Sequence, residues 1–186
     1  MQPLFTVHAG EYLVGSYIEK HFKKYNVWVP SKDTGIDLLV TDSKNRMTAT
    51  IQVKYSKDYT TTHMKPGHNN GFRSWGWWTL NPSKIRSSKA DLWVFVMQSF
   101  AHKSIECVVI PPKELMSVLK KVHGHGKKKY QSYMWVRNDD TCWETRGLIR
   151  AEKYSLAHVD HEDENRNLTD YLNNWKPLKQ KLARSS

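Results

Sequence analysis

An acid, an amide and an amine stand close together in the first third of this chain: Asp37, then Gln52 and Lys54. Gly35-Ile36-Asp37-Leu38-Leu39-Val40 and Ile51-Gln52-Val53-Lys54 are apolar or alternating over strand length. Asp42-Ser43-Lys44-Asn45 between them is rich in turn formers, so the pattern predicts a β-hairpin. Side chains two apart on a strand share a face, which puts Gln52 and Lys54 on one side and Ile51, Val53 and Tyr55 on the other. Asp37 can face the same way as Gln52 and Lys54. These types suit phosphodiester hydrolysis, which needs a cation to neutralise charge developing on the phosphate and to make hydroxide from water. Mg²⁺ takes oxygen ligands, with one or two carboxylates beside waters and substrate phosphate. A neighbouring lysine holds the attacking water or the charge of the transition state. The same residues also read as an ordinary hairpin with a wet polar face.

Asp37 followed by Gln52-Val53-Lys54 resembles the motif of the PD-(D/E)XK nuclease superfamily, in the variant where Gln replaces the second acid; Ile36 stands where the motif name has proline. His8-Ala9-Gly10-Glu11-Tyr12-Leu13-Val14-Gly15 is similar to the first helix of such proteins, which often carries an extra glutamate, here Glu11. Ala90 to Val96 and Val109 to Leu115 resemble their outer strands and following helix, so the resemblance spans roughly residues 8–122. It implies an α/β fold with a restriction-endonuclease-like αβββαβ core, a mixed sheet flanked by helices. It also implies a Mg²⁺ cofactor, with Mn²⁺ as a substitute, held by Asp37, Gln52, the Val53 carbonyl and Glu11. Catalytic roles then fall to Glu11, Asp37, Gln52 and Lys54. The expected activity is that of a Mg²⁺-dependent DNA endonuclease, restriction-like or homing-like. A structure-selective, junction-resolving nuclease would use the same residues, and a catalytically silent DNA-binding module of the same fold would keep them without cutting. Double-stranded DNA is the expected partner, and cutting both strands favours a homodimer.

At 186 residues the chain fits one domain with a sizeable core and room for an appendage. A formal charge of +11 favours a polyanionic partner and argues against an acidic ligand surface. Only two cysteines are present, Cys107 and Cys142, without CxxC spacing, which fits buried free thiols in a reducing compartment better than a disulfide scaffold or zinc site. Met1 to Val7 lacks the pattern of a signal peptide and no segment approaches bilayer-spanning length, so a cytoplasmic protein without a membrane partner is expected.

Glu11 to about Lys24 has helical spacing, and Glu11 in its first turn also satisfies the ordinary preference for a carboxylate at a helix start. Asn26 to Val29 reads as a short strand. Residues 56–81 read as a long irregular loop, broken by Gly67, Gly71 and Gly76, in which basic and aromatic residues interleave. Lys65, Arg73 and Trp75 there are candidate nucleic-acid contacts, whereas Trp77 and Trp78 read as core. His63 and His68 read as solvated. Lys84, Arg86 and Lys89 are further candidate phosphate contacts, as are Lys127, Lys128 and Lys129 in a Gly-bracketed loop. Leu92 to Met97 and Ile105 to Ile110 are continuous apolar strands, and Pro112 to about Lys121 is a helix. Beyond it a β-hairpin, Tyr133 to Arg137 and Cys142 to Arg146, is expected, with Gly147 to Arg150 continuing it. The chain divides into a nuclease-like domain, 1–154, and a C-terminal extension, 155–186, that docks or dimerises. In that extension Ser155 to Asn167 reads as an acidic linker, and Leu168 to Leu182 as an amphipathic helix kinked at Pro177.

Overall fold

Asp42 sets the turn on which the first sheet is built. Its carboxylate accepts from the main-chain N–H groups of Arg46 at 2.7 Å and Met47 at 2.8 Å, while Asn45 takes a positive φ of 54°. The chain therefore reverses between β2 (Leu38–Asp42) and β3 (Thr48–Ser56), with Leu38 opposite Ile51, as the hairpin pattern predicts. The structure, a computed structural model, describes residues 8–32, 34–56, 71–158 and 163–183. Preceding the hairpin are helix α1 (Ala9–His21) and strand β1 (Tyr25–Trp28), which pairs antiparallel with β2. On the other side β5 (Leu92–Ser99) runs parallel to β3, and β6 (Ser104–Ile110) closes antiparallel on β5. The result is a five-stranded mixed sheet in the order β1-β2-β3-β5-β6. The molecule is an α/β protein.

Alternation along β3, β5 and β6 divides this sheet's side chains between two cores. Ile51, Val53, Val94, Val96 and Val109 face α1, whose Val14 and Ile18 have no exposed surface. Burying each of those two side chains stabilises the contact by about 1.5–3 kcal/mol. Trp93, Phe95, Met97, Val108 and Ile110 face the other way. There they meet α2 (Pro82–Arg86), α3 (Pro112–His123) and a second, three-stranded sheet.

Within the irregular loop expected at 56–81, residues 57–70 lie outside the described residues, and the remainder joins that second sheet. Phe72–Leu80 is a nine-residue strand, β4, paired antiparallel with β7 (Tyr130–Arg137), which pairs in turn with β8 (Cys142–Glu144). Gly76 does not break β4, because the Trp78 ring lies over it and Met97 Cγ would sit 2.8 Å from any Cβ there. Its glycine leaves room for an indole from its own strand. Lys65, His63 and His68 lie outside the described residues.

The tail also differs from expectation. Gly147 takes a positive φ of 88° and the chain turns into helix α4 (Arg150–His158) instead of continuing the hairpin. Asp160, His161 and Glu162 lie outside the described residues. The acidic stretch then forms a 3-10 turn, Glu164–Arg166, capped by the Asp163 side chain. A second 3-10 turn, Thr169–Tyr171, precedes helix α5 (Lys176–Ala183), so Pro177 sits in a first turn, where its missing N–H is tolerated, and kinks nothing. Trp175, Leu178 and Leu182 pack into the core that holds Val14 and Ile18, and Tyr17 stacks on Trp175 at 5.2 Å. Asn173 ties the segment to β6 through hydrogen bonds to the Cys107 N–H (2.9 Å) and to Glu106 (2.7 Å). Cys107 and Cys142 are buried free thiols, and burial pushes the Cys107 thiol up to about 12.

Candidate active site

Strand β2 ends at Leu38 while β3 runs on to Ser56, which leaves one edge of β3 uncovered beyond Ile51. The chain entering β2 supplies the cover. Asp37 N–H donates to the Ile51 carbonyl (2.8 Å), and the Asp37 carboxylate accepts from the Val53 N–H (2.6 Å) and from the Gln52 side-chain amide. N–H and C=O of one strand residue point to the same side, and Ile51 and Val53 share that side. The Val53 carbonyl is thus directed to the edge where Asp37 sits.

Lys54 follows on the Gln52 face, opposite Phe95 of β5. Its ammonium lies 5.5 Å from the centroid of the Trp93 ring, and the Trp93 indole N–H donates to Ser88 Oγ at 2.9 Å. Trp93 is 4% exposed, so the ring is a fixed wall under a charged side chain. Helix α1 reaches the site from the opposite face. Gly10 packs so closely on β3 that a Cβ would fall 2.7 Å from Tyr55 Cβ and 3.2 Å from Val53 Cγ1. This seats the first turn, with Glu11, at the end of β3. Glu11 Oε2 also accepts from the His8 N–H at 3.3 Å, the helix-start role its position suggested.

These elements enclose a cleft of about 1110 Å³ whose lining includes Glu11, Asp37, Gln52, Val53 and Lys54. All the residues proposed from sequence as catalytic or metal-binding share it. Lys32, Lys84 and Lys89 add positive charge to its walls, and Ser87 and Ser88 add hydroxyls. Lys84 and Lys89, both candidate phosphate contacts from the sequence, line it; Lys32 was missed, because it stands in a loop without periodicity and is located only by the packing of that loop around the hairpin.

The other basic candidates fall elsewhere. Arg86 lines a separate groove with Pro111 and Glu114. Lys127, Lys128 and Lys129 are exposed in the α3–β7 loop and do not line the cleft. Arg73 is engaged within the protein: it pairs with Glu106 at 2.7 Å and with Asp140 at 2.6 Å, and the Glu106 bond holds its guanidinium still more firmly charged. Trp75 is 7% exposed and packs against Trp143 and Leu156. The expectation is reversed for Trp75, which is core, and Trp77, which is 41% exposed, and holds for Trp78, which is buried in the core.

Hard divalent cations prefer oxygen donors, and the cleft offers the carboxylates of Asp37 and Glu11 with the Val53 carbonyl. The Gln52 amide donates to Asp37, and a half-turn of the amide would present its oxygen instead. This set fits Mg²⁺ or Mn²⁺. Among the described residues no group of three His, Cys, Asp or Glu side chains could hold a metal, so a cation here would depend on neutral oxygens and water beside the carboxylates. No protein-family model matches the chain, and comparison with curated proteins and with solved structures returned no significant match.

Proposed function

We propose that the cleft hydrolyses phosphodiester bonds of DNA with Mg²⁺, as a PD-(D/E)XK-type endonuclease. The observation that carries this reading is the gathering of Asp37, Gln52, Lys54 and Glu11 in one basic-walled cleft at the exposed edge of β3. The order of elements supports it: a helix, three antiparallel strands, then a crossover to a strand parallel to the third. This resembles the αβββαβ order the motif implies, with β4 and the short α2 between β3 and β5 among the described residues.

In this reading Asp37, Gln52, Val53 and Glu11 hold the cation. Bound there, Mg²⁺ would supply charge neutralisation at the phosphate and a more acidic water. Lys54, standing on Trp93, presents a fixed positive charge to the developing phosphorane and orients the attacking water. Lys32, Lys84 and Lys89 hold the flanking backbone, positioning the strand without reading its sequence. Two such sites in a homodimer would cut both strands of a duplex. Buried thiols suit a reducing cytoplasm. Among the described residues no helix is long and apolar enough to cross a membrane.

The test is nicking or linearisation of supercoiled plasmid with Mg²⁺ or Mn²⁺, beside Asp37→Asn and Lys54→Ala. Cleavage by the parent and its loss in both variants is the expected result; parental cutting by both removes the assignment. One observation favours a second reading. Gln52 occupies the place of an acid and its amide engages the Asp37 carboxylate. A silent DNA-binding module would bind duplex with steep salt dependence and release no product with any divalent metal.

A further inference from the structure

The outer face of the second sheet carries an aromatic row that its covering helix leaves unfinished. Phe72, Trp75 and Trp143 pack under Leu148 and under Leu156 of α4. The next register pair on the same face, Trp77 opposite Tyr133, lies outside that cluster, and Trp77 is 41% exposed. The two rings are 6.2 Å apart. The Arg146 guanidinium lies over Tyr133 at 5.0 Å. One pair further on, Thr79 faces Gln131, both exposed. We propose that this surface binds an unpaired base of a nucleic-acid strand, stacked on the exposed Trp77 ring beside Tyr133 and Arg146.

Four features favour that occupant over a peptide or a membrane. The exposed Trp77 indole, with Tyr133 tilted 57° beside it, offers a π-face to any base without demanding a sequence. The Arg146 guanidinium, held over Tyr133, offers charge for the adjoining phosphate. Thr79 and Gln131 supply a hydroxyl and an amide for base edges at the rim. The chain as a whole carries +11, which repels cationic partners and attracts a polyanion. Position adds to the case. Trp77 N–H donates to Ser56 Oγ at 3.1 Å, and Ser56 lies on β3 just past Lys54 and Tyr55 of the cleft. The site needs no metal and stands apart from the cleavage chemistry.

The experiment is fluorescence anisotropy of a labelled oligothymidylate with the full chain in EDTA, repeated with an abasic oligonucleotide of equal length. Trp77→Ala should weaken oligothymidylate binding by about tenfold or more, the loss expected for one stacked base. Trp77→Phe should recover part of it, and the abasic ligand should not distinguish these variants from the parent. Arg146→Ala should lower the slope of log Kd against log salt by about 0.7, one phosphate's share for a single strand. Trp77→Thr, suited to an exposed strand position, repeats the test should the alanine variant fold poorly. Unchanged affinity in the Trp77 variants overturns the proposal, as does an equal loss on the abasic ligand or a parent that binds neither. A nuclease without this platform would still lose plasmid cleavage in Asp37→Asn, so the two readings fail separately.

Discussion

Asp37 offers the sharpest separation of structure from chemistry. Its carboxylate holds two donors, the Val53 N–H at 2.6 Å and the Gln52 amide, at a strand edge that no neighbouring strand covers. Asp37→Ala removes the acceptor and leaves the N–H of Val53, a residue 7% exposed, without its partner. An unmet donor of this kind costs about 1–3 kcal/mol, which urea unfolding would show as a lower midpoint at unchanged slope. Asp37→Asn keeps a carbonyl oxygen for Val53, and Gln52 can turn its amide to accept from the new amide. It gives up only the charge assistance, roughly half the strength of the bonds. Its unfolding midpoint should therefore lie close to the parent's. Plasmid linearisation with Mg²⁺ should nevertheless fall about 100-fold or more in both variants, since a first ligand matters at least as much as the outer partners that tune it. Parental cleavage by Asp37→Asn would refute the cleft assignment. An Asp37→Ala variant as stable as the parent would refute the edge-capping account on which the geometry rests.

Three further outcomes follow from contacts away from the cleft. Burial works against ionisation of Asp91, but Lys181 at 2.8 Å and the Thr50 N–H and hydroxyl outweigh it and hold the carboxyl below its ordinary value. The stabilisation is complete above the ordinary carboxylate value and is lost as pH falls through the lowered one. Asp91→Asn should thus lower Tm near neutrality, by a part-exposed ion pair's worth of about 1 kcal/mol at most, and the gap to the parent should close in acid. Gly76→Ala pushes a methyl into the Trp78 ring and Met97, so unfolding free energy should drop by about 1–3 kcal/mol, read from urea titration. Burial raises the thiol of Cys107 to about 12 and that of Cys142 further still, so neither should react with iodoacetamide at neutral pH until the protein unfolds; rapid labelling of the native chain would contradict this.

Periodicity exposed the hairpin, because Ile51 and Val53 on one face and Gln52 and Lys54 on the other are a strand's own signature, and local turn chemistry at Asp42 fixed its register. The same local signals misled at β4. Glycines ordinarily interrupt strands, and only the crowding of Gly76 by the Trp78 ring and by Met97 explains why this one does not. Without the strand there was no parity to sort the tryptophans, so Trp75 and Trp77 were assigned to the wrong sides. Arg73 looked like a phosphate contact because its partner Glu106 lies on a strand far along the chain. The tail looked like an appendage for a similar reason: the amphipathic spacing of Leu178 and Leu182 announces a buried face but not which core receives it. Glu11, Asp37, Gln52 and Lys54 were legible as chemistry, while their shared cleft depends on Gly10 and Trp93, which a motif does not contain.

The packing of Trp175, Leu178 and Leu182 against Val14 and Ile18 has a consequence for how the molecule is made. The earliest and latest described helices share one core, so a nascent chain still tethered short of Trp175 carries that core unsealed. A ribosome stalled before that point would hold a chain with part of its hydrophobic interior open to chaperones.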